Sequence, residues 1–405
     1  MIYKNFLLKD NIKKKYYKSS TLNQFSKKFN KIFLDINNDI KNKNKTLNVL
    51  DKKFQFSFKI KNLNKFKKFK TIAIVGMGGS ILGTEAIYNF LEKKIKKKVY
   101  FFNDLDENIL KKFKNKEVKS KVLFIIISKS GNTIETLSNT FLLNVISRNA
   151  KNIIIISEKK NNFLNNLSKK FNLFHIEHKK NIGGRYSVLS EVGIIPAYLM
   201  GVNIFKLRSN LLNCYKKINK LFIKNQTLKL TNIMNSKKIN NLIFLNYSTE
   251  LKNFLFWCQQ LIAESLGKKS RGFLPVVSNA PKDHHSLLQL YLDGPKDKVF
   301  NIFSLNSKSS ETIKVNYSDD STNFLNKKKL SVVKNAQKIS LMKSFIKKGI
   351  PFREFQIKRI NEEALGELFS FFIIETVIMG KLMNINPFDQ PAVEEIKINT
   401  KKFLK

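Results

Sequence analysis

The chain is short of cysteine, of acid and of long apolar runs, and each shortage removes a class of protein. Its 405 residues include two cysteines, Cys214 and Cys258, both set among apolar residues of expected helices. They form neither a disulfide framework nor a metal-ligand spacing, which points to a reducing compartment. The opening MIYKNFLLKDNIKKKYY lacks the apolar core of a signal peptide. The most apolar late stretch, LFSFFIIETVIMG, is broken by Glu375 and is too short to span a bilayer. A cytoplasmic protein without a membrane partner is expected.

Acidic residues number 30 against 75 Lys and Arg, a formal net charge of +45. A nucleic-acid binder gathers its cations on one face or in one tail. Here lysine is scattered along the whole chain beside Asn, Ile and Phe, residue types that share A/T-rich codons. Codon bias accounts for the charge, and no specific nucleic-acid partner is expected. The field would still attract anionic substrates and make loose contacts with RNA or anionic lipid salt-sensitive.

What is present suffices for two cores. The hydrophobic fraction is 42%, and the length exceeds what one ordinary core serves. Residues 1–65 are rich in Lys and Asn and weakly patterned, with helices and a short hairpin expected against the main body. From Thr71 short apolar runs (TIAIVG, VYFFND, VLFIIIS, NIIIIS) alternate with amphipathic helices, the signature of βαβ units and a parallel sheet. After a helical bridge over 191–222 a second series follows: NLIFLNYS, TELKNFLFWCQQLIAESLG, VFNIFSL, a helix near 331–348, FREFQIKRI, and a long helix from Asn361. The expected fold class is α/β, with two doubly wound, mostly parallel sheets carrying helices on both faces. The division falls into an N-terminal extension (1–65), a first α/β domain (66–200), a second (201–385) and a C-terminal helix (386–405).

Six segments carry candidate chemistry. GMGGSILG, with Gly79 and Ser80, follows a strand and opens a helix, so backbone and helix N-terminus can approach an anion closely. It is no dinucleotide fingerprint, because Ile81 stands where a third glycine is needed. SKSGNTIET places Ser128, Lys129, Ser130 and Thr133 around Gly131, again after a buried strand. Hydroxyls, backbone N–H groups and a helix N-terminus are what a phosphate monoester needs when no metal holds it. Both loops sit at strand carboxyl ends, where open α/β sheets bind ligands.

GGRYSVLSEVG carries Arg185, an arginine where codon bias would have supplied lysine. WCQQLIAESLGKKSRG sets Gln260 and Glu264 four apart on one helix face, and a carboxylate there can serve as a general base. PKDHHSLLQ holds two of the four histidines, His284 and His285, and an imidazole suits proton transfer at neutral pH. One of the two is expected to act, and metal binding is disfavoured by the lack of acidic or Cys partners at zinc spacing. NPFDQPAVEEIKINTKK reads as an ordered turn with Gln390 before a last helix bearing Lys397.

Taken in order, GGRYS, QQLxxESxGK, HSLLQ and FDQPxVE resemble the glucose-6-phosphate isomerase family in its bacterial form, from about residue 71 to 397. SKSGNTIET alone would indicate only a sugar-isomerase (SIS-type) phosphate domain. The resemblance implies reversible glucose 6-phosphate to fructose 6-phosphate isomerisation through a cis-enediolate, with no metal or organic cofactor. Ser80, Ser128, Lys129, Ser130 and Thr133 would hold phosphate, and Arg185 would steady the enediolate. Glu264 would move the proton between C2 and C1. His285, contributed by the partner of a homodimer, would help open the ring. Gln260 and Gln390 would orient hydroxyls and Lys397 would assist at the ring oxygen. A dual phosphoglucose/phosphomannose isomerase, a non-catalytic SIS-domain sensor and a nucleic-acid binder are the alternatives.

Overall fold

The computed structural model describes residues 3–306, 310–315 and 321–404, the side chain of Glu394 excepted. The chain begins with β1 (Phe6–Asp10) and α1 (Ser19–Lys41). A first alternating series follows: β2 (Thr71–Val75), α2 (Leu82–Leu91), β3 (Lys98–Phe102), α3 (Glu107–Lys116), β4 (Val122–Ile127), α4 (Ile134–Leu143), β5 (Ile153–Ser157), α5 (Phe163–Lys170) and β6 (Phe174–Glu177). The bridge is helical, with α6 (Glu191–Leu199), α7 (Ile204–Leu207) and α8 (Lys217–Ser236). The second series is β7 (Asn241–Asn246), α9 (Lys252–Leu266), β8 (Leu274–Asn279), α10 (Leu288–Asp293), β9 (Lys298–Leu305), α11 (Leu330–Lys348), β10 (Phe352–Ile357) and α12 (Glu362–Leu382), before the terminal α13 (Val393–Phe403).

The first series forms a sheet in the order β3-β2-β4-β5-β6, parallel throughout. Its central strand β4 reads VLFIII and is buried at every position. An unbroken apolar run rich in β-branched residues suits a parallel sheet covered on both faces. The second sheet runs β1-β10-β9-β7-β8 and is parallel apart from β1, which pairs antiparallel with β10 (Phe6 opposite Ile357). In each sheet the chain steps to one neighbour and then crosses back to the other side. That leaves a crevice between β2 and β4 in one sheet and between β7 and β9 in the other. Ligands of such sheets lie in these crevices, at the carboxyl ends.

The expected hairpin in residues 1–65 does not form among the described residues. The segment supplies a single strand, β1, whose Phe6 and Leu8 are buried, and no second β-patterned run follows to fold back on it. The edge of β10 offers unpaired backbone groups, and β1 satisfies them. Glu367 on α12 fixes the start of this strand by accepting from Asn5 N (3.1 Å) and Nδ2 (2.7 Å). α1 packs on α8 and α12. Two strands outside the expected series, β6 and β8, close the free edges of the sheets. β8 contains Pro275, which an edge strand tolerates because one side needs no ladder donor.

α12 is buried on nearly every face and packs against α1, α7, α8 and α9. A helix apolar all round belongs inside a core. Its Glu375, 2% exposed, pairs with Arg353 of β10, which is fully buried. The contacts are Nη1–Oε1 at 2.6 Å and Nη2–Oε2 at 3.1 Å, and Arg353 Nε donates to Asn301 Oδ1 at 2.9 Å. Among the described residues, no helix is long and apolar enough to cross a membrane.

Candidate active site

The turn leaving β2 is built from glycines because three pieces of backbone converge on it. Gly78 takes a left-handed φ of 51°, and a Cβ there would lie 2.9 Å from Gln260 Nε2. A Cβ on Gly79 would stand 2.2 Å from the Gly184 carbonyl carbon. The first glycine loop, the GGRYS turn and the helix α9 therefore touch, though they lie far apart in sequence.

Arg185 is the centre of the assembly. It is 2% exposed, and a guanidinium so buried must find acceptors for its donors. Nε donates to Ser265 Oγ (2.8 Å). Nη1 donates to Glu264 Oε2 (3.0 Å) and to Gln390 Oε1 (2.5 Å). Nη2 donates to the carbonyls of Pro387 (2.7 Å) and Asp389 (2.9 Å). The same fork thus ties α9 to the FDQP turn. Gln260 Nε2 donates to the other carboxylate oxygen, Glu264 Oε1, at 2.9 Å. The Glu264 side chain keeps 27% of its surface open, enough to meet a ligand from the crevice. Gln260 Oε1 is buried and has no partner.

The phosphate-type loop stands beside it at the carboxyl end of β4. Ser128 Oγ lies 2.8 Å from Thr133 Oγ1 and 3.4 Å from Ser130 Oγ. Ser128 is buried and Ser130 is exposed, so the hydroxyls line a path from interior to solvent. Gly131 has a φ of 70°, as the sequence expects of a tight turn. The 158–165 segment clasps this loop. Glu158 N donates to Lys129 O (3.2 Å) and Leu164 N to Gly131 O (3.1 Å). Phe163 N donates to Asn132 Oδ1 at 2.9 Å. Asn162, the N-cap of α5, presses so closely that a Cβ on Gly131 would meet its Oδ1 at 1.8 Å.

The structure brings together Gly79, Arg185, Gln260, Glu264 and Gln390, and sets the Ser80 turn beside the Ser128 loop through adjacent strands. Other candidates are engaged differently. The Lys129 ammonium donates to Lys180 O at 2.9 Å and lies 3.8 Å from Glu158 Oε1; burial lowers its pKa. His285 is exposed on the short 3-10 turn after β8, with no hydrogen bond to Arg185, Glu264 or Gln390. Its neighbour His284 is the tethered one, with Nε2 2.8 Å from Tyr247 Oη. Lys397 lies on the exposed α13. Among the described residues no cluster of His, Cys, Asp and Glu could hold a metal ion.

Two supporting residues were not anticipated. Tyr186 Oη lies 2.9 Å from Ser265 Oγ and donates to Pro387 O at 2.9 Å. Tyr186 and Ser265 thus brace Arg185 from below. Their only sequence signal is adjacency to Arg185 and Glu264.

The sequence model for phosphoglucose isomerase matches residues 26–405. The chain belongs to the phosphoglucose isomerase family. A protein of Methanococcus maripaludis described as a probable glucose-6-phosphate isomerase is 34% identical over 377 residues, 89% of this chain and 81% of its own length. The glucose-6-phosphate isomerase of Methanocaldococcus jannaschii is 33% identical over 355 residues, 83% of this chain and 85% of its own. In structure, a hypothetical protein from Thermus thermophilus superposes with a TM-score of 0.79 at 21% identity, covering 98% of this chain and 99% of that one. A glucose-6-phosphate isomerase from Chlamydia trachomatis gives 0.67 at 19% identity, covering 85% of this chain and 71% of its own. These superpositions support the two-sheet fold of this family member.

Proposed function

We propose that this enzyme interconverts glucose 6-phosphate and fructose 6-phosphate through a cis-enediolate, a step of glycolysis and gluconeogenesis. The observation that carries the reading is the buried Arg185, which holds Glu264 on one donor and shares that donor with Gln390. The Ser128, Ser130 and Thr133 hydroxyls and the Gly79–Ser80 turn take the phosphate, and binding so far from the reacting carbons supplies positioning. Glu264 removes the proton from C2 of the open-chain aldose as the C1 carbonyl becomes the enediol oxygen. The same carboxyl returns the proton to C1 as the carbonyl reforms at C2 and the C2 hydroxyl proton passes to O1, so the reaction is redox-neutral overall. Arg185 stabilises the oxyanion in a site shielded from water. Gln260 and Gln390 orient substrate hydroxyls.

The working form in this proposal is a homodimer in the cytoplasm. His285 is exposed and makes no hydrogen bond to Glu264 in its own chain, which suits donation to a partner's site for ring opening. Lys397 approaches the ring oxygen from α13. Lys129 contributes to the phosphate loop through its backbone, since its ammonium group is engaged elsewhere. Two buried, unpaired cysteines agree with a reducing compartment. Each sheet with its helices is an SIS-type unit, divided near residue 200. A coupled assay for fructose 6-phosphate tests the reading. Purified protein should turn over glucose 6-phosphate, and Glu264→Gln should lower turnover on the order of 10³-fold while leaving substrate binding nearly intact. Near-normal turnover by that variant would remove Glu264 from the role.

A further inference from the structure

The second sheet repeats the crevice of the first at a place that the isomerisation does not use. Between the carboxyl ends of β7 and β9 lies a cavity of about 430 Å³, within the range of small-molecule sites. Its wall includes Ser248 and Glu250 from the turn after β7, Ser304 from β9, and Ser331, Lys334 and Lys338 from α11.

Lys338 is the unusual member. It is 4% exposed, yet it lines a hollow, and lysines are seldom buried so fully. Nζ donates to Ser304 Oγ at 3.0 Å and to Glu354 Oε1 at 2.7 Å, so the fold compensates its charge and fixes its position. With Lys338 neutralised by Glu354, the cationic character of this wall comes from Lys334, whose Nζ donates to Tyr247 O at 3.5 Å, and from the start of α11. Lys334 stands one turn before Lys338, and α11 opens at the cavity without an acidic residue in its first turn, so the positive end of its helix dipole faces the hollow. The β7 side differs in sign. Glu250 Oε2 accepts from Ser248 Oγ (2.7 Å) and Thr249 Oγ1 (3.3 Å), which leaves a fixed acceptor suited to hydroxyl donors. A cationic wall and a carboxylate wall in one cavity complement a molecule with phosphate at one end and hydroxyls at the other.

We propose that this cavity is a second ligand site, binding a small hydroxylated phosphate monoester apart from the catalytic centre. The sequence carries an independent hint. Residues 307–312 read SKSSET, sharing four of six positions with SKSGNT at 128–133. Residues 307–309 lie outside the described structure, and the site is argued without them.

Equilibrium dialysis of the full-length protein with labelled inorganic phosphate and with glycerol 3-phosphate, at physiological ionic strength, tests the proposal. Two bound ligands per chain are expected. The double variant Ser331→Asp, Lys334→Gln should bind one, while the KM for glucose 6-phosphate and the competitive inhibition constant of phosphate stay unchanged. One ligand per wild-type chain, or two in the variant, overturns the proposal. So does a second ligand that is lost uniformly as salt rises, which would mark diffuse attraction to the +45 surface. Should the variant fail to fold, crystals of the wild type soaked in tungstate decide. Density in the β7–β9 cavity supports the site, and an empty cavity beside an occupied Ser128 loop rejects it.

Discussion

The two sheets share a strand layout and differ in what they place at the crevice. In the first, the carboxyl ends of β2 and β4 carry glycines and hydroxyls, with Gly78 and Gly131 in left-handed backbone. In the second, the corresponding ends carry Ser248, Glu250 and a buried lysine, and the strands beneath are crossed by charge pairs, Arg353–Glu375 and Lys338–Glu354. The first arrangement lets backbone N–H groups and hydroxyls meet an anion directly. The second uses fixed charges, some held inside the core. Arg185, after β6, and Glu264, on α9, come from opposite halves of the chain, so the proposed chemistry lies where the halves meet.

Breaking the junction should have the largest effect. Glu264→Gln should lower kcat on the order of 10³-fold, the usual weight of a positioned general base, with KM nearly unchanged in a steady-state assay. Breaking the second sheet should instead show in stability. Glu375→Gln leaves Arg353 buried without its anion and should cost about 3–5 kcal/mol in denaturant unfolding. The folded fraction should keep its KM, and a large rise in KM would contradict the division of labour.

Weakening the first crevice should act on binding. Ser128→Ala removes a hydroxyl from a charged ligand, a loss of about 1.5–3 kcal/mol. KM for glucose 6-phosphate should rise tenfold or more, and kcat should fall far less.

The smallest effect concerns Glu85 on α2, whose pKa burial raises to about 7, with Asn103 Nδ2 donating to its Oε1 at 2.5 Å. A carboxyl whose folded-state pKa lies above its unfolded value stabilises below the unfolded value and loses that contribution as pH rises through the folded one. Melting temperature should therefore fall between about pH 4.5 and pH 7 because of this group. Glu85→Gln should flatten that decline and exceed the wild type at pH 8. An unchanged pH profile would show that Glu85 stays hydrated.

Much of this was legible from sequence for physical reasons. Buried parallel strands need continuous apolar runs, so VLFIIIS and NIIIIS announced the first sheet. Tight approaches need glycine, so GMGGS and SKSGNT marked the crevice loops. Asn361 was readable as the start of α12 because its side chain caps Ala364 N at 2.8 Å. β1 was not readable, because a Lys/Asn-flanked FLLKD gains its partner only from β10, which lies near the other end of the chain.

The sequence by itself determined the alternation of strands and helices, the two crevice loops and the family, since these follow from local patterns and ordered motifs. Only the tertiary structure decided that one buried guanidinium gathers Glu264, Gln390 and two FDQP-turn carbonyls, because burial obliges its donors to find acceptors wherever the fold brings them. It also left His285 exposed without a hydrogen bond to that cluster and turned Lys129 toward Lys180 and Glu158. Those outcomes depend on which surfaces the packed halves cover, and spacing along a chain does not encode that.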